Sequence, residues 1–390
     1  MKMWKLAGLG CAVAAAALSF PRPGDAEDVY RLHALLPLTG YASFIGKDEE
    51  IAAKAIEKWV NKTGGIQGHP LQIVVHDDQS NPQVSVQLAK QIFQDNPAVI
   101  LGPGLVAPCK AVAPLLKTGP LAYCLAPGSL FGNYMFSSGA ATEDLMAAMI
   151  RYFRLKGWKR IAVISTSDAP GQDGDNAIDR LMKLPENRDV TIVTHPHFAQ
   201  GDLSVSAQME SIKAAAPQAM IAWVTGVSIA TVFRGMTQAG LDLPIGVSNG
   251  NMIRRQMKQY GEFLPKQLYF AATEWTEGVT AEPAVAAAKE IFYTTLAGEG
   301  VKPDLPTALF WDPAMLYITA LRALGTNATA PQVRDYLAHL KGFSGINGPY
   351  DFDKYPQRGI GLEDTLLTRW MPDKATWLIV SKPTGIPLEN

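Results

Sequence analysis

Five short stretches of this 390-residue chain carry residues whose type and spacing are suited to chemistry. Ser129 follows an apolar run in the turn Pro127-Gly128-Ser129. Its hydroxyl has three open readings: a nucleophile, a turn hydroxyl, or a hydrogen bond to a ligand. A nucleophile needs an activating base, and the sequence offers no Gly-x-Ser-x-Gly elbow, P-loop or His-Glu-x-x-His. Asn249-Gly250-Asn251 is a good turn sequence and also a pair of amides suited to a polar ligand. His195-Pro196-His197 presents two imidazoles, but no cysteine or acid pair lies near in sequence to complete a zinc set. It is expected to be a loop after a strand, with no metal. His76-Asp77-Asp78 has acid–base residues and reads as a strand end followed by turn acids. Gly102-Pro103-Gly104-Leu105-Val106-Ala107 imitates a dinucleotide fingerprint. However, it follows the third strand rather than the first, no acid stands about twenty residues on, and Pro108 is expected to interrupt the helix. No catalytic residue, no cofactor and no enzymatic activity are expected.

Strands and helices alternate around these stretches. Val29 to Leu36 reads as a strand stopped by Pro37. Lys47 to Lys62 carries Ile51, Ala52, Ala55, Ile56, Trp59 and Val60 on one helical stripe and ends at Gly64-Gly65. Leu71 to His76 is the next strand, and Asn81-Pro82 opens a helix with a capping side chain and a first-turn proline. Strands are expected at Ala98–Leu101, Leu121–Leu125, Ile161–Ser165, Val190–Thr194, Ala219–Val224 and Ile245–Val247. Helices are expected at Val106–Lys117, Glu143–Lys156, Pro283–Leu296, Phe310–Leu324 and Pro331–Leu340. Thr365–Met371 and Ala375–Val380 flank Pro372-Asp373-Lys374 and read as a hairpin. Alternating strands and helices mean right-handed crossovers and parallel, doubly wound sheets. The units are too many for one sheet, so two lobes are expected.

The bulk properties agree. Lys2 and Lys5 precede an apolar run, Leu6 to Phe20, too short to span a bilayer but suited to a secretory leader. Gly24-Asp25-Ala26 offers cleavage before Glu27, so residues 1–26 are expected to be removed and the rest to be periplasmic. Net charge is −1, with no basic stripe, which argues against nucleic acid. In an oxidising compartment Cys109 and Cys124 either pair or remain two buried thiols in adjacent elements.

The ordered set of motifs resembles the branched-chain amino-acid-binding family of type I periplasmic solute-binding proteins. The resemblance rests on Pro37-Leu38-Thr39-Gly40 with Gly46, on Asn61-Lys62-Thr63-Gly64-Gly65-Ile66-Gln67-Gly68, and on Asp77-Asp78. Gln238-Ala239-Gly240-Leu241 and Gly348-Pro349-Tyr350-Asp351-Phe352-Asp353 continue it. It implies an α/β fold of two doubly wound parallel-sheet lobes joined by a three-crossing hinge. The first lobe would be 27–141 plus 275–355 and the second 142–274 plus 356–390, with a ligand cleft between them. It also implies a small-molecule receptor that docks, as a monomer, on the membrane permease of an ABC-type importer. A ligand sensor for a signalling partner and an exported hydrolase are the competing classes.

Ligands of open parallel sheets sit beyond the carboxyl ends of the strands. That rule selects Tyr41, Phe44, Ile45, Gly104, Val106, Pro127, Gly128 and Ser129 in the first lobe. In the second it selects Asp168, Pro170, Gln172, Thr225, Gly226, Asn249 and Asn251. The resemblance implies a hydroxyl after each of two first-lobe strands to hold a carboxylate. Ser129 matches one and Val106 stands at the other, leaving that contact to backbone amides. It further implies a second-lobe acid for an α-ammonium, where Asn249 stands, accompanied by a tyrosine where Thr225 stands. A buried ammonium without a partner costs about 3–5 kcal/mol, which argues against an α-amino acid. Ser167-Asp168-Ala169-Pro170-Gly171-Gln172-Asp173 and Ser248-Asn249-Gly250-Asn251-Met252 resemble instead a branch that binds aromatic carboxylates of the benzoate or hydroxycinnamate type, with Pro170 departing from it. On that reading an apolar body lies near Phe44, Ile45 and Phe131, its carboxylate on Ser129. Asn249, Asn251 and Gln172 would bond a ring substituent.

Overall fold

The structure is a computed structural model and describes residues 29–128, 132, 134–278 and 282–388. The leader, Ser129 and Phe131 lie outside the described residues. A first sheet is built from β1 (Tyr30–Leu36), β2 (Leu71–Asp77), β3 (Val99–Leu101), β4 (Leu121–Cys124) and β5 (Met135–Ser137). All its pairings are parallel and its order is β2-β1-β3-β4-β5. The core strands are buried on both faces: Leu32, Ala34, Leu35, Ile100, Leu101 and Leu121 have no exposed surface. This is why they read as apolar runs rather than as alternating strands.

Its helices are α1 (Ser43–Lys62), α2 (Pro82–Ile92) and α3 (Val106–Val112). Asn81 caps α2 by accepting from the backbone N–H groups of Gln83 and Val84, with Pro82 in the first turn. Two expectations are corrected here. The first helix starts at Ser43 rather than Lys47, which takes Phe44 and Ile45 out of a loop and into its first turn. Pro108 does not interrupt α3. It sits in the first turn, where a proline's missing N–H breaks no bond, and the helix instead gives way to a 3-10 turn at Ala113–Leu115, which contains Pro114.

The chain then builds a second sheet. Its parallel strands are β6 (Arg160–Thr166), β7 (Thr191–Thr194), β8 (His197–Phe198), β9 (Ala219–Trp223), β10 (Ile245–Val247) and β11 (Leu268–Ala272). The helices between and beside them are α4 (Thr142–Leu155), α5 (Ala169–Leu181), α6 (Ser206–Ala214), α7 (Ile229–Ala239) and α8 (Arg254–Gln259). His195-Pro196-His197 is corrected as well: the loop is only Pro196 and its neighbour, since His197 starts β8 and pairs in register with Ser165 of β6.

After β11 the chain returns to the first sheet through α9 (Pro283–Gly298), α10 (Leu305–Leu324) and α11 (Ala330–Ala338). There α10 packs on α1 and β3, and α11 on β4. A small hairpin, β12 (Ser344–Gly345) with β13 (Gly348–Pro349), precedes the last passage to the second sheet. β14 (Leu366–Met371) and β15 (Thr376–Ile379) form the expected hairpin and extend that sheet antiparallel to β11. The second sheet's order is β15-β14-β11-β10-β9-β6-β7, with β8 also on β6. Its parallel part, β7-β6-β9-β10-β11, repeats the strand order of the first sheet.

Cys109 in α3 and Cys124 at the end of β4 are bridged, with Cα atoms 5.8 Å apart and a separation of 15 residues. Closing a loop of this length in the unfolded chain is worth about 3 kcal/mol. The Cys109→Ala, Cys124→Ala double variant should therefore fold and lose about 3 kcal/mol in a urea melt. A loss below about 1 kcal/mol would mean that the bridge constrains neither state.

Candidate functional site

In each sheet the order reverses beside its first strand, between β1 and β3 and between β6 and β9. At such a point the flanking helices leave on opposite faces and open a crevice at the carboxyl ends of the strands. The two crevices face one another and form one cavity, with about 540 Å³ of space between protein atoms, part of it open to solvent. The first unit contributes Ile45, Gly104, Leu105, Val106, Leu125, Ala126, Pro127, Pro306 and Leu309. Thr142, Pro170, Asp173, Trp223, Thr225, Ser248, Asn249 and Gly250 complete the wall.

Four helices start on this wall. Val106 and Thr142 are the first residues of α3 and α4, and Pro170 and Pro306 are the second residues of α5 and α10. Helix starts carry N–H groups without intrahelical partners and the positive end of the helix dipole. The cavity thus gathers partial positive charge around an otherwise apolar lining, a setting suited to an anionic group.

A full positive charge stands behind the same wall. Arg358 is 6% exposed. It donates from Nη2 to Gly128 O (2.6 Å), and from Nη1 to Ser137 Oγ and Gly139 O (both 3.0 Å). These acceptors are all uncharged oxygens. Burial lowers its pKa to about 10, opposed by the fields of Asp144, Tyr123 and Asp173, so it remains charged at neutral pH. Arg358 fixes the Pro127-Gly128 segment, which leads to Ser129.

The polar groups of the far wall are arranged by their own bonds. Thr225 Oγ1 and Ser248 Oγ lie 3.2 Å apart. Asn249 is 5% exposed, and its Oδ1 is buried without a hydrogen-bond partner. A buried acceptor left unpaired costs about 1–3 kcal/mol, which a donor on a bound molecule would recover. Gly174 lies so close to Trp223 that a Cβ there would be 2.2 Å from the indole, so the glycine sets how far the ring stands into the cavity.

Ile45, Gly104, Val106, Pro127, Pro170, Thr225 and Asn249 therefore meet at one cavity. The other selected residues have different places. Phe44 packs with Tyr41, Ala42, Ile45, Leu105 and Ile253, under the Arg255 guanidinium. Tyr41 lies against Gly226, where an added Cβ would meet Tyr41 O at 2.9 Å. Gly128 accepts from Arg358. Asp168 caps α5 through Gly171 N, and Gln172 donates to Ser167 O. Asn251 is fully buried and donates to Val224 O and Ser248 O, holding the turn that presents Asn249.

Sequence reasoning missed Leu125, Ala126, Thr142, Asp173, Trp223, Ser248, Pro306 and Leu309 of the wall, and Arg358 behind it. Asp173 and Ser248 adjoin selected residues, and Trp223 ends an expected strand, so the switch-point rule reaches them if widened by one or two positions. Asp304-Leu305-Pro306 was a legible helix start. Nothing local marks Arg358, which arrives from far along the chain.

Beside the cavity ion pairs join the two units, one of them between Arg254 Nη1 and Asp304 Oδ1 at 2.7 Å. In another, Arg255 of α8 bonds to Asp48 of α1, whose side chain is 6% exposed. Burial raises the Asp48 pKa to about 6, outweighing the attraction of Arg255. Glu49, fully buried next to Gly104, is pushed well above the ordinary carboxyl range by burial and then by Asp78 and Asp48.

A family model described as periplasmic binding protein matches residues 31–374. No curated protein matches the sequence. Solved structures share the fold at low identity. An extracellular ligand-binding receptor from Rhodopseudomonas palustris matches at 18% identity and TM-score 0.79, covering 90% of this chain and 99% of that one. A branched-chain amino acid transporter substrate-binding protein from Streptococcus pneumoniae, solved with isoleucine, matches at 16% and 0.75, covering 90% and 99%. A leucine-binding protein from Thermotoga maritima matches at 19% and 0.77, covering 90% and 97%.

The Asp48 assignment gives a signed prediction. Its folded pKa lies above its unfolded value of 3.8, so the folded state takes up the proton first. Its contribution to stability is present below pH 4 and is lost as pH rises through 6. Asp48→Asn should therefore reduce the gain in melting temperature between pH 7 and pH 5. An unchanged pH profile would show that Asp48 titrates at its ordinary value.

Proposed function

The chain belongs to the periplasmic binding protein family, and from that premise we propose that it is the receptor of an ABC-type importer for a small organic acid with an apolar, aromatic-sized body. The family comprises extracytoplasmic solute-binding receptors rather than enzymes. The single observation that carries the ligand class is the meeting of four helix starts at one cavity, with buried Arg358 behind its wall. The carboxylate lies toward α3 and the Pro127-Gly128-Ser129 segment. The body packs on Ile45, Leu105, Leu125, Trp223 and Leu309, and a donor on the far end meets Asn249 Oδ1. Benzoate- and hydroxycinnamate-type acids fit this description, and a 4-hydroxyl supplies the donor.

The same reading divides the exported chain into lobes 27–141 plus 275–355 and 142–274 plus 356–390, after removal of residues 1–26. Both lobes touch the ligand only when shut, so binding favours the closed arrangement, which is the form that docks on the permease. Among the described residues no helix is long and apolar enough to cross a membrane.

A second reading has its own observation. Asp173 stands in the cavity wall and supplies a carboxylate for an α-ammonium in place of the acid missing at Asn249. On that reading the ligand is an amino acid, as in the solved neighbour that holds isoleucine.

Thermal stabilisation of the refolded protein separates the two. The panel contains benzoate, 4-hydroxybenzoate, p-coumarate, leucine, and aliphatic mono- and dicarboxylates. A ligand at a hundred times its dissociation constant adds about 2.7 kcal/mol. Aromatic acids should raise the melting temperature and leucine should not, and Asp173→Asn should keep the response. Stabilisation by leucine that Asp173→Asn abolishes would replace the first reading with the second.

A further inference from the structure

Away from the cavity, the segment that leads into β8 sets two histidines beside Asp175 of α5. His195 and His197 are two apart in an extended segment, so their side chains share a side. The rings stack with centroids 4.6 Å apart and planes inclined by 24°. Both turn Nε2 toward one carboxylate: His195 Nε2 lies 2.9 Å from Asp175 Oδ1, and His197 Nε2 lies 2.9 Å from Asp175 Oδ2. Ser165 donates to Asp175 Oδ1 at 2.7 Å and lies 3.1 Å from His195 Nε2. We propose that Asp175, His195 and His197 form a binding site for a single divalent transition-metal ion of the zinc class.

Three arguments carry this. The donor set is two imidazoles and a carboxylate, which suits zinc and its neighbours and not calcium or magnesium, which take oxygen ligands. The three ligand atoms already lie within 4.8 Å of one another. Around a tetrahedral zinc with bonds of about 2.0–2.1 Å, neighbouring ligand atoms are roughly 3.3 Å apart. Each imidazole Nε2 is 2.9 Å from its own oxygen of the Asp175 carboxylate, so rotations of these three side chains, with no backbone rearrangement, bring one atom from each to that spacing. Finally, the site has an outer shell and an entrance. Ser165 holds the carboxylate from the sheet side, as second-shell donors do, while His197, 44% exposed at its side chain, leaves the other side open to solvent.

Binding requires each imidazole to carry its proton on Nδ1 and give its Nε2 lone pair to the ion. The ion would thus replace the two Nε2 contacts to Asp175, while Ser165 keeps its hydrogen bond to the carboxylate. The ion would fasten α5, whose first turns carry Pro170 and Asp173 of the cavity, to the β6–β8 edge of the second sheet.

The test uses the untagged protein stripped with a chelator. Zinc titrated by calorimetry should bind one equivalent. His197→Gln, which changes the most exposed ligand, and Asp175→Asn should each weaken binding at least tenfold. Cobalt should give the visible absorption of a four-coordinate site in the wild type and lose it in both variants. His76→Gln is the control, because His33 and His76 form a second stacked pair near Asp95. The proposal is overturned if the wild type takes up no zinc, if binding persists unweakened in His197→Gln and Asp175→Asn, or if His76→Gln is the variant that loses it.

Discussion

A parallel strand cannot reach its neighbour by a tight turn, so each connection crosses back on a helix. Where the strand order reverses, successive helices go to opposite faces and the carboxyl ends of two strands are left uncovered. This protein meets that constraint twice, at β1–β3 and at β6–β9, and sets the two gaps face to face. The cavity, its ring of helix starts and its polar groups all follow from that placement. No insertion or extra loop is needed to build it.

Electrostatics then gives the cavity a sign. The helix starts and Arg358 supply positive charge, while Asp173 and the buried acids Asp48 and Glu49 of α1 stand near it. Burial raises the two α1 acids toward their neutral forms, so they offset the cation less than their number suggests. Arg358 spends its hydrogen bonds on uncharged oxygens. Asp144 and Asp173 oppose part of this cation's field, and among the described residues no carboxylate takes its hydrogen bonds. Asn249 Oδ1 adds a directional acceptor on the opposite side.

Much of this was legible in the sequence because it depends on short-range periodicity. The strand and helix order, the Asn81-Pro82 helix start, the hairpin around Pro372-Asp373-Lys374 and the loops after each central strand were all readable. What was not readable came from distance. Arg358 reaches Gly128 across the last passage between the sheets, and Leu309 reaches the wall from the returning α10. Asp175 meets two histidines from a helix twenty residues earlier, and no local pattern marks that meeting. Helix starts were also placed late, at Lys47 and Phe310, because amphipathic periodicity fades in a first turn that faces a cavity rather than a core. That error put Phe44 in the cleft when it belongs to the packing between α1 and Arg255.

The most direct test of the central claim is a crystal structure with the acid that stabilises the protein most. The account predicts one molecule between the two sheets, its carboxylate against the first turn of α3 and the Pro127-Gly128-Ser129 segment, and its far end on Asn249. A ligand bound outside this cavity would contradict the account, as would a carboxylate turned toward Asn249 with the apolar body facing Gly128.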